Sequence, residues 1–336
     1  MTTQDSEMPF TPSIGAAKWQ FDYLPVGLFG SVMGLAGLSV AWRLASARYG
    51  ITLWLADSVA GVAGVAFVLM ACGYLAKLVV APRIVLAEFR HPIAGNLFGT
   101  ILISLLLLPI LLAPVSLLAA QVMWGVGAVG MVVFAWFIVS RWMTDRQVLA
   151  HATPAWIIPV VGLLDMPLAL PGLGLPPMHG VMVLGLAVGL FFAMPLLTLI
   201  LSRLMFEPPM PDALRPSLLI LVAPFAVGFS TYVATTGMVD LFAQSLYVLM
   251  LFMLAVLLGR LHDLPLCCPF RVSWWAVSFP LAASSIAALK FAAAEPGAVT
   301  DVIAAALLAL ATITIAGLLL RTLAGLVRGE LRTLSA

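Results

Sequence analysis

Long apolar runs separated by short polar punctuation fill the chain from Tyr23 to about Leu320. A helix crosses a hydrocarbon core with roughly 20 apolar residues. Between Arg90 and Arg141 no Lys, Arg, Asp or Glu occurs, which is too long for one crossing. This stretch is a pair of spans turning at Ala113-Pro114-Val115-Ser116, where proline breaks the hydrogen-bond ladder. The stretch from Thr153 to Ser202 divides in the same way at the Pro-Gly-rich segment Leu170 to Pro177. The pattern predicts ten helices, over 23–44, 55–77, 96–113, 117–142, 154–170, 179–203, 217–237, 240–260, 273–293 and 300–322. No strict alternation of a lipid-facing β-barrel is present, and helices bond every backbone amide within one segment. The expected class is an all-α membrane protein: a tail over 1–20, a ten-helix domain over 21–323 and a tail over 324–336.

Basic residues orient these spans. Arg43, Arg48 and Lys290 fall on one side, and the other 13 of the 16 Lys and Arg fall on the side of the two termini. The positive-inside rule makes that side cytoplasmic, in a cell inner (plasma) membrane. Both termini lie inside only if the span count is even.

Composition agrees, with 63% hydrophobic and 9% charged residues, where soluble domains carry about 25% charged residues. The first twenty residues are polar and lack the apolar core of a signal peptide. A net charge of +2 gives no reason to expect nucleic acid. Cys72, Cys267 and Cys268 form neither a disulfide framework nor a metal pattern. His151 and His179 stand a whole span apart and cannot share a metal. Acids are scattered rather than clustered as an active site requires, so no enzyme activity and no cofactor is expected.

Proline placement adds a repeat. Pro109, Pro159, Pro224 and Pro280 interrupt the third, fifth, seventh and ninth helices, and Pro25 begins a first helix rich in glycine. Even helices have no interior proline except Pro195 in the sixth. Kinks are tolerated where freed carbonyls face protein or water, although prolines are common in membrane helices generally. The alternation predicts five hairpins, with kinked odd helices inside around a pore and straighter even helices outside.

Five motifs in chain order resemble one family. They are Leu24-Pro25-Val26-Gly27-Leu28-Phe29-Gly30 with Met33-Gly34-Leu35-Ala36-Gly37-Leu38, then Glu88-Phe89-Arg90-His91-Pro92, Thr153-Pro154-Ala155-Trp156-Ile157-Ile158-Pro159, Ala223-Pro224-Phe225, and Ser273-Trp274-Trp275-Ala276-Val277-Ser278-Phe279-Pro280. The sequence is similar to the tellurite-resistance/dicarboxylate transporter family, which includes bacterial TehA-like proteins and plant guard-cell slow-type anion channels. That resemblance implies quasi-fivefold hairpins about a pore, a homotrimer with one pore per protomer, and a phenylalanine on the ninth helix that closes it. The matching residue is Phe279, with Phe291 a second candidate.

Small anions such as chloride or nitrate are the expected partners within the lipid bilayer. A coupled carrier for tellurite, sulfite or C4-dicarboxylates is the alternative. No Lys or Arg lies deep in an odd helix except Lys290 near an outer end. Anion preference then rests on helix amides, basic mouths and hydroxyls. Possible lining positions are Gly30, Gly34, Ser104, Ser230, Ser278 and Ser284, with Ser285 beside them, although a serine in a helix usually bonds its own backbone. Glu88 or His91 reads either as a proton site or as an interfacial ion pair and helix-start motif. Asp165 reads as a pore-mouth charge or a solvated loop residue, and Trp274 and Trp275 as an interfacial aromatic belt.

Overall fold

A computed structural model describes residues 24–264 and 268–335. The expected tail over 1–20 and Cys267 lie outside those residues. Among the described residues no strand occurs. Ten helices among them are long and apolar enough to span a bilayer: α1 Val26–Tyr49, α2 Trp54–Val80, α3 Ala94–Leu112, α4 Leu117–Thr144, α5 Pro154–Gly172, α6 His179–Phe206, α7 Asp212–Thr236, α8 Leu241–Leu261, α9 Val272–Ala294 and α10 Ala298–Val327.

Burial divides them by parity. Between 61% and 78% of the apolar window is buried in each odd helix, against 17% to 39% in each even one. Leu69 on α2, Trp136 on α4, Phe191 on α6, Phe252 on α8 and Ile313 on α10 stand exposed, as lipid-facing positions must when no water competes for them. Each odd helix packs on the even helix that follows it. The odd helices also pack on one another, α1 on α3 and α9, α5 on α3 and α7, and α7 on α9.

All five odd helices begin with a 3-10 stretch before turning α-helical, at Gly30 in α1, Gly99 in α3, Ile158 in α5, Ala223 in α7 and Ser278 in α9. Pro159 and Pro224 fall in the first two residues of the α-helical part, and Pro280 one residue later. A missing N–H is tolerated best in a helix's first turn. Pro109 differs. It lies inside the α-helical Gly99–Leu112, three residues from its end, so the 3-10 to α change in α3 falls at Gly99 and not at the proline. Pro195 sits inside the long helix of α6.

The helices outrun their apolar cores. Arg48, Arg203 and Arg321 are helical, and α1, α6 and α10 run on to Tyr49, Phe206 and Val327, past the predicted ends at 44, 203 and 322. A short helix, Pro82–Arg90, absent from the sequence reading, joins α2 to α3. Ion pairs tie helix ends on each face: Arg215 at the start of α7 to Asp263 just after α8 at 2.9 Å on one, and Arg48 on α1 to Asp301 on α10 at 2.6 Å on the other.

Candidate pore and its walls

Close helix approach builds one side of the interior. A Cβ on Gly34 would overlap Ser278 Oγ, and one on Gly37 would stand 2.9 Å from Ala282 Cβ and 3.7 Å from the Phe279 ring. Glycine therefore lets α1 lie against α9. Phe279 follows directly on the 3-10 to α change in α9, is 8% exposed, and borders a cavity of about 310 Å³.

All five odd helices contribute to that cavity, through Gly30 and Met33, Thr100 and Ile103, Ile158 and Asp165, Ile220 and Val227, and Ala276 and Phe279. Pro280 also lines it. Polar groups are few. Thr153, Ser273 and Arg271 border it where α5 and α9 begin, and Asp165 borders it within α5. Thr153 Oγ1, Ser273 Oγ and Asp165 Oδ1 are buried without a hydrogen-bond partner. Such atoms are costly unless something occupies the space before them.

The expected hydroxyl lining is largely turned inward. Ser104 donates to Thr100 O at 2.7 Å, Ser278 to Trp275 O at 2.6 Å, and Ser284 to Pro280 O at 2.8 Å. Gly30 lines the cavity; Gly34, Ser104, Ser230, Ser278 and Ser284 do not. Helical back-bonding takes the Ser104, Ser278 and Ser284 hydroxyls instead. Ser285 is buried with its hydroxyl unpartnered, outside the cavity wall. Phe291 stacks on Tyr247, ring centroids 4.0 Å apart, away from the cavity.

Glu88 forms the ion pair and not a solitary proton site. Its carboxylate accepts from Val26 N at 2.7 Å, Tyr74 OH at 3.0 Å and Lys77 Nζ at 2.8 Å. Lys77 Nζ also donates to Leu24 O at 2.7 Å. The pair thus caps the start of α1 while satisfying a buried ammonium. His91 Nδ1 accepts from Ile93 N and Ala94 N, holding the start of α3. Burial, and secondarily His151, holds the His91 imidazole below its ordinary range. Trp275 is no belt residue: it is 1% exposed and donates through Nε1 to Thr322 on α10.

Asp165 is neither a loop residue nor solvated. It is 1% exposed, twelve residues into α5. Local backbone explains why α5 accepts it. Pro154, Pro159, Pro167 and Pro171 break α5 into alternating 3-10 and α turns, and Pro167 offers no N–H to the carbonyls of Leu163 or Leu164. Thr231 of α7 donates to Leu164 O, and Trp124 of α4 donates to Met166 O at 2.9 Å. Gly185 lets α6 approach, since a Cβ there would meet Leu163 O at 2.5 Å. The sequence offered one signal for this site: Asp165 is the only charged residue between Pro154 and Gly172.

Ten spans whose five buried members converge on one largely apolar cavity define a polytopic membrane protein of the channel or transporter class. The chain belongs to the voltage-dependent anion channel family (SLAC1), which it matches over residues 23–323. It is 26% identical to an S-type anion channel, SLAH3, of Arabidopsis thaliana, over 91% of this chain and 49% of that protein. It is 27% identical to a tellurite resistance protein TehA homolog of Haemophilus influenzae, over 80% of this chain and 81% of that one. An uncharacterized transporter of Methanocaldococcus jannaschii, MJ0762, is 26% identical over 62% of this chain and 67% of its own. The chain therefore spans about two thirds of this archaeal relative and about half of the plant one.

Proposed function

We propose that the protein is a channel for small inorganic anions of the chloride or nitrate kind, with the cavity between the odd helices as its path and Phe279 as the ring that closes it. The observation that carries this reading is that one cavity takes walls from all five odd helices and has Phe279 on its border. An apolar ring at a constriction stops hydrated ions by sterics and dewetting. A mouth carrying Arg271 and unpartnered hydroxyls, with no lysine in the cavity wall, suits weak anion binding and rapid release. The membership in an anion-channel family supports the same reading. The basic side, with both termini, faces the cytoplasm across a plasma membrane, and the assembly is a homotrimer with one path per protomer.

Electrical recording of the purified protein tests the gate. Phe279→Ala is expected to raise anion current at least roughly tenfold, the scale of losing a barrier of about 1.4 kcal/mol. An unchanged current would remove Phe279 from the role. A second reading, a coupled carrier for tellurite, sulfite or C4-dicarboxylates, draws support from the tellurite-resistance relative. Its current would reverse at a potential that moves with the proton gradient, whereas a channel's follows the anion gradient alone.

A further inference from the structure

We propose that Asp165 is a proton-binding site that controls the anion path: as the neutral acid it donates a hydrogen bond to the passing anion, and as the carboxylate it stops the flow. The inference rests on the reading of the cavity as that path. Three observations carry it. Asp165 borders the cavity, is 1% exposed, and has Oδ1 without any hydrogen-bond or ionic partner.

Among the described residues no cation pairs with it. α5 holds no other ionisable side chain, and α3, packed against it, holds none. Of the remaining helices that touch this turn, α4 carries Arg141 near its end, α6 carries His179 and Arg203 at its two ends, and α7 carries Asp212 and Arg215 at its start and Tyr232 near its finish. Among the described residues the cavity's one other ionisable lining group is Arg271, which precedes the first turn of α9. The remaining candidate partners point elsewhere: Thr231 donates to Leu164 O and Trp124 to Met166 O.

Burying an unpaired carboxylate costs far more than burying the acid. The acid also has what an anion needs, an O–H to donate beside an otherwise apolar section of the cavity. Loss of that proton to cavity water leaves a fixed negative charge in a narrow, poorly screened space, where it repels every anion. One group thus supplies a ligand in one state and a barrier in the other. The sign follows: flow is high when the cavity is acidic and falls as pH rises.

Chloride efflux from proteoliposomes tests this in a Phe279→Ala background, with Asp165→Asn and Asp165→Ala added singly. Infrared spectra of the purified proteins in parallel report the protonated carboxyl without reference to flux. Efflux from the Phe279→Ala protein is expected to fall about tenfold per pH unit once Asp165 titrates, following the protonated fraction. Asp165→Asn, uncharged and still a donor, is expected to keep fast efflux at every pH. Asp165→Ala should be pH-independent but slower. A protonated-carboxyl band should be present with Asp165 and missing from Asp165→Asn. The same pH dependence in Asp165→Asn, or no difference in the band, would overturn the proposal. Absence of efflux from every variant would remove the path itself and this control with it, while the infrared band still reports whether Asp165 holds a proton.

Discussion

α1 and α5 are both buried odd helices on the same cavity, yet they are built in opposite ways. α1 has a short 3-10 start and then twenty α-helical residues, Gly30–Tyr49, unbroken by proline. Its glycines let it press on α9. α5 spans 19 residues in five alternating 3-10 and α pieces, with four prolines. Its carbonyls are served by side chains from α4 and α7 in place of its own amides. The difference teaches where polarity can be kept inside this protein. A regular helix uses its own backbone groups and can be sealed by close packing. An interrupted one exposes backbone that neighbours must satisfy, and the same irregular turn holds a buried acid against the cavity.

The starts of the two helices differ as well, and here the largest effect is expected. α1 is anchored through the Glu88 carboxylate, which receives Val26 N and neutralises buried Lys77. α5 begins with neutral groups, and Trp156 donates to Pro92 O at 3.1 Å. Glu88→Gln keeps an oxygen for Val26 N but strands the ammonium, and breaking such a buried pair costs about 3–5 kcal/mol. Thermal unfolding in detergent should show a large loss. Adding Lys77→Met should recover most of it, because the uncompensated charge is gone. A Glu88→Gln protein as stable as wild type would mean that charge does not hold α1.

Next comes the glycine seam. Gly34→Ala places a methyl where Ser278 Oγ and Cβ already stand, and overpacking of this kind costs about 2 kcal/mol. Ser278→Gly, added to it, empties the space and should return most of the stability. Gly61 on α2, with nothing near its added Cβ, should accept alanine at no loss. If Gly34→Ala and Gly61→Ala proved alike, α1 would not depend on close approach.

The ten spans were legible because length and charge leave little freedom when lipid is the solvent. Proline alternation also pointed to which helices are buried. Their ends were less legible: α1, α6 and α10 continue past the predicted limits at 44, 203 and 322, because an arginine such as Arg48 or Arg321 pairs its head while its stem continues the helix, so a charge does not mark a stop. Pro82–Arg90 falls between the second and third predicted spans, too short and too charged to read as a crossing, and its helix shows only in the fold. Serines were legible as residues but not in direction, since a hydroxyl can face a pore or its own carbonyl without any change in the sequence. Asp165 was misplaced for a related reason. A lone acid after eleven mostly apolar residues resembles a span end, and only the tertiary fold shows that the neighbouring helices close over it.

The smallest expected effect separates the two ways a hydroxyl is used. Thr231→Val removes the donor to Leu164 O while keeping shape. The amide three residues on from Leu164 belongs to Pro167, which has no hydrogen to give, so the carbonyl is left without that alternative. A buried acceptor left in this condition costs about 1 kcal/mol. Ser104→Ala removes a hydroxyl that bonds Thr100 O within its own helix, where the backbone amide four residues on is already in place. Its cost should be near zero, within about 0.5 kcal/mol. Measured as a pair by thermal unfolding in the same detergent, the two should differ by about 1 kcal/mol. Equal values would show that α5 satisfies its proline-freed carbonyls by other means, and that its irregular backbone does not lean on α7.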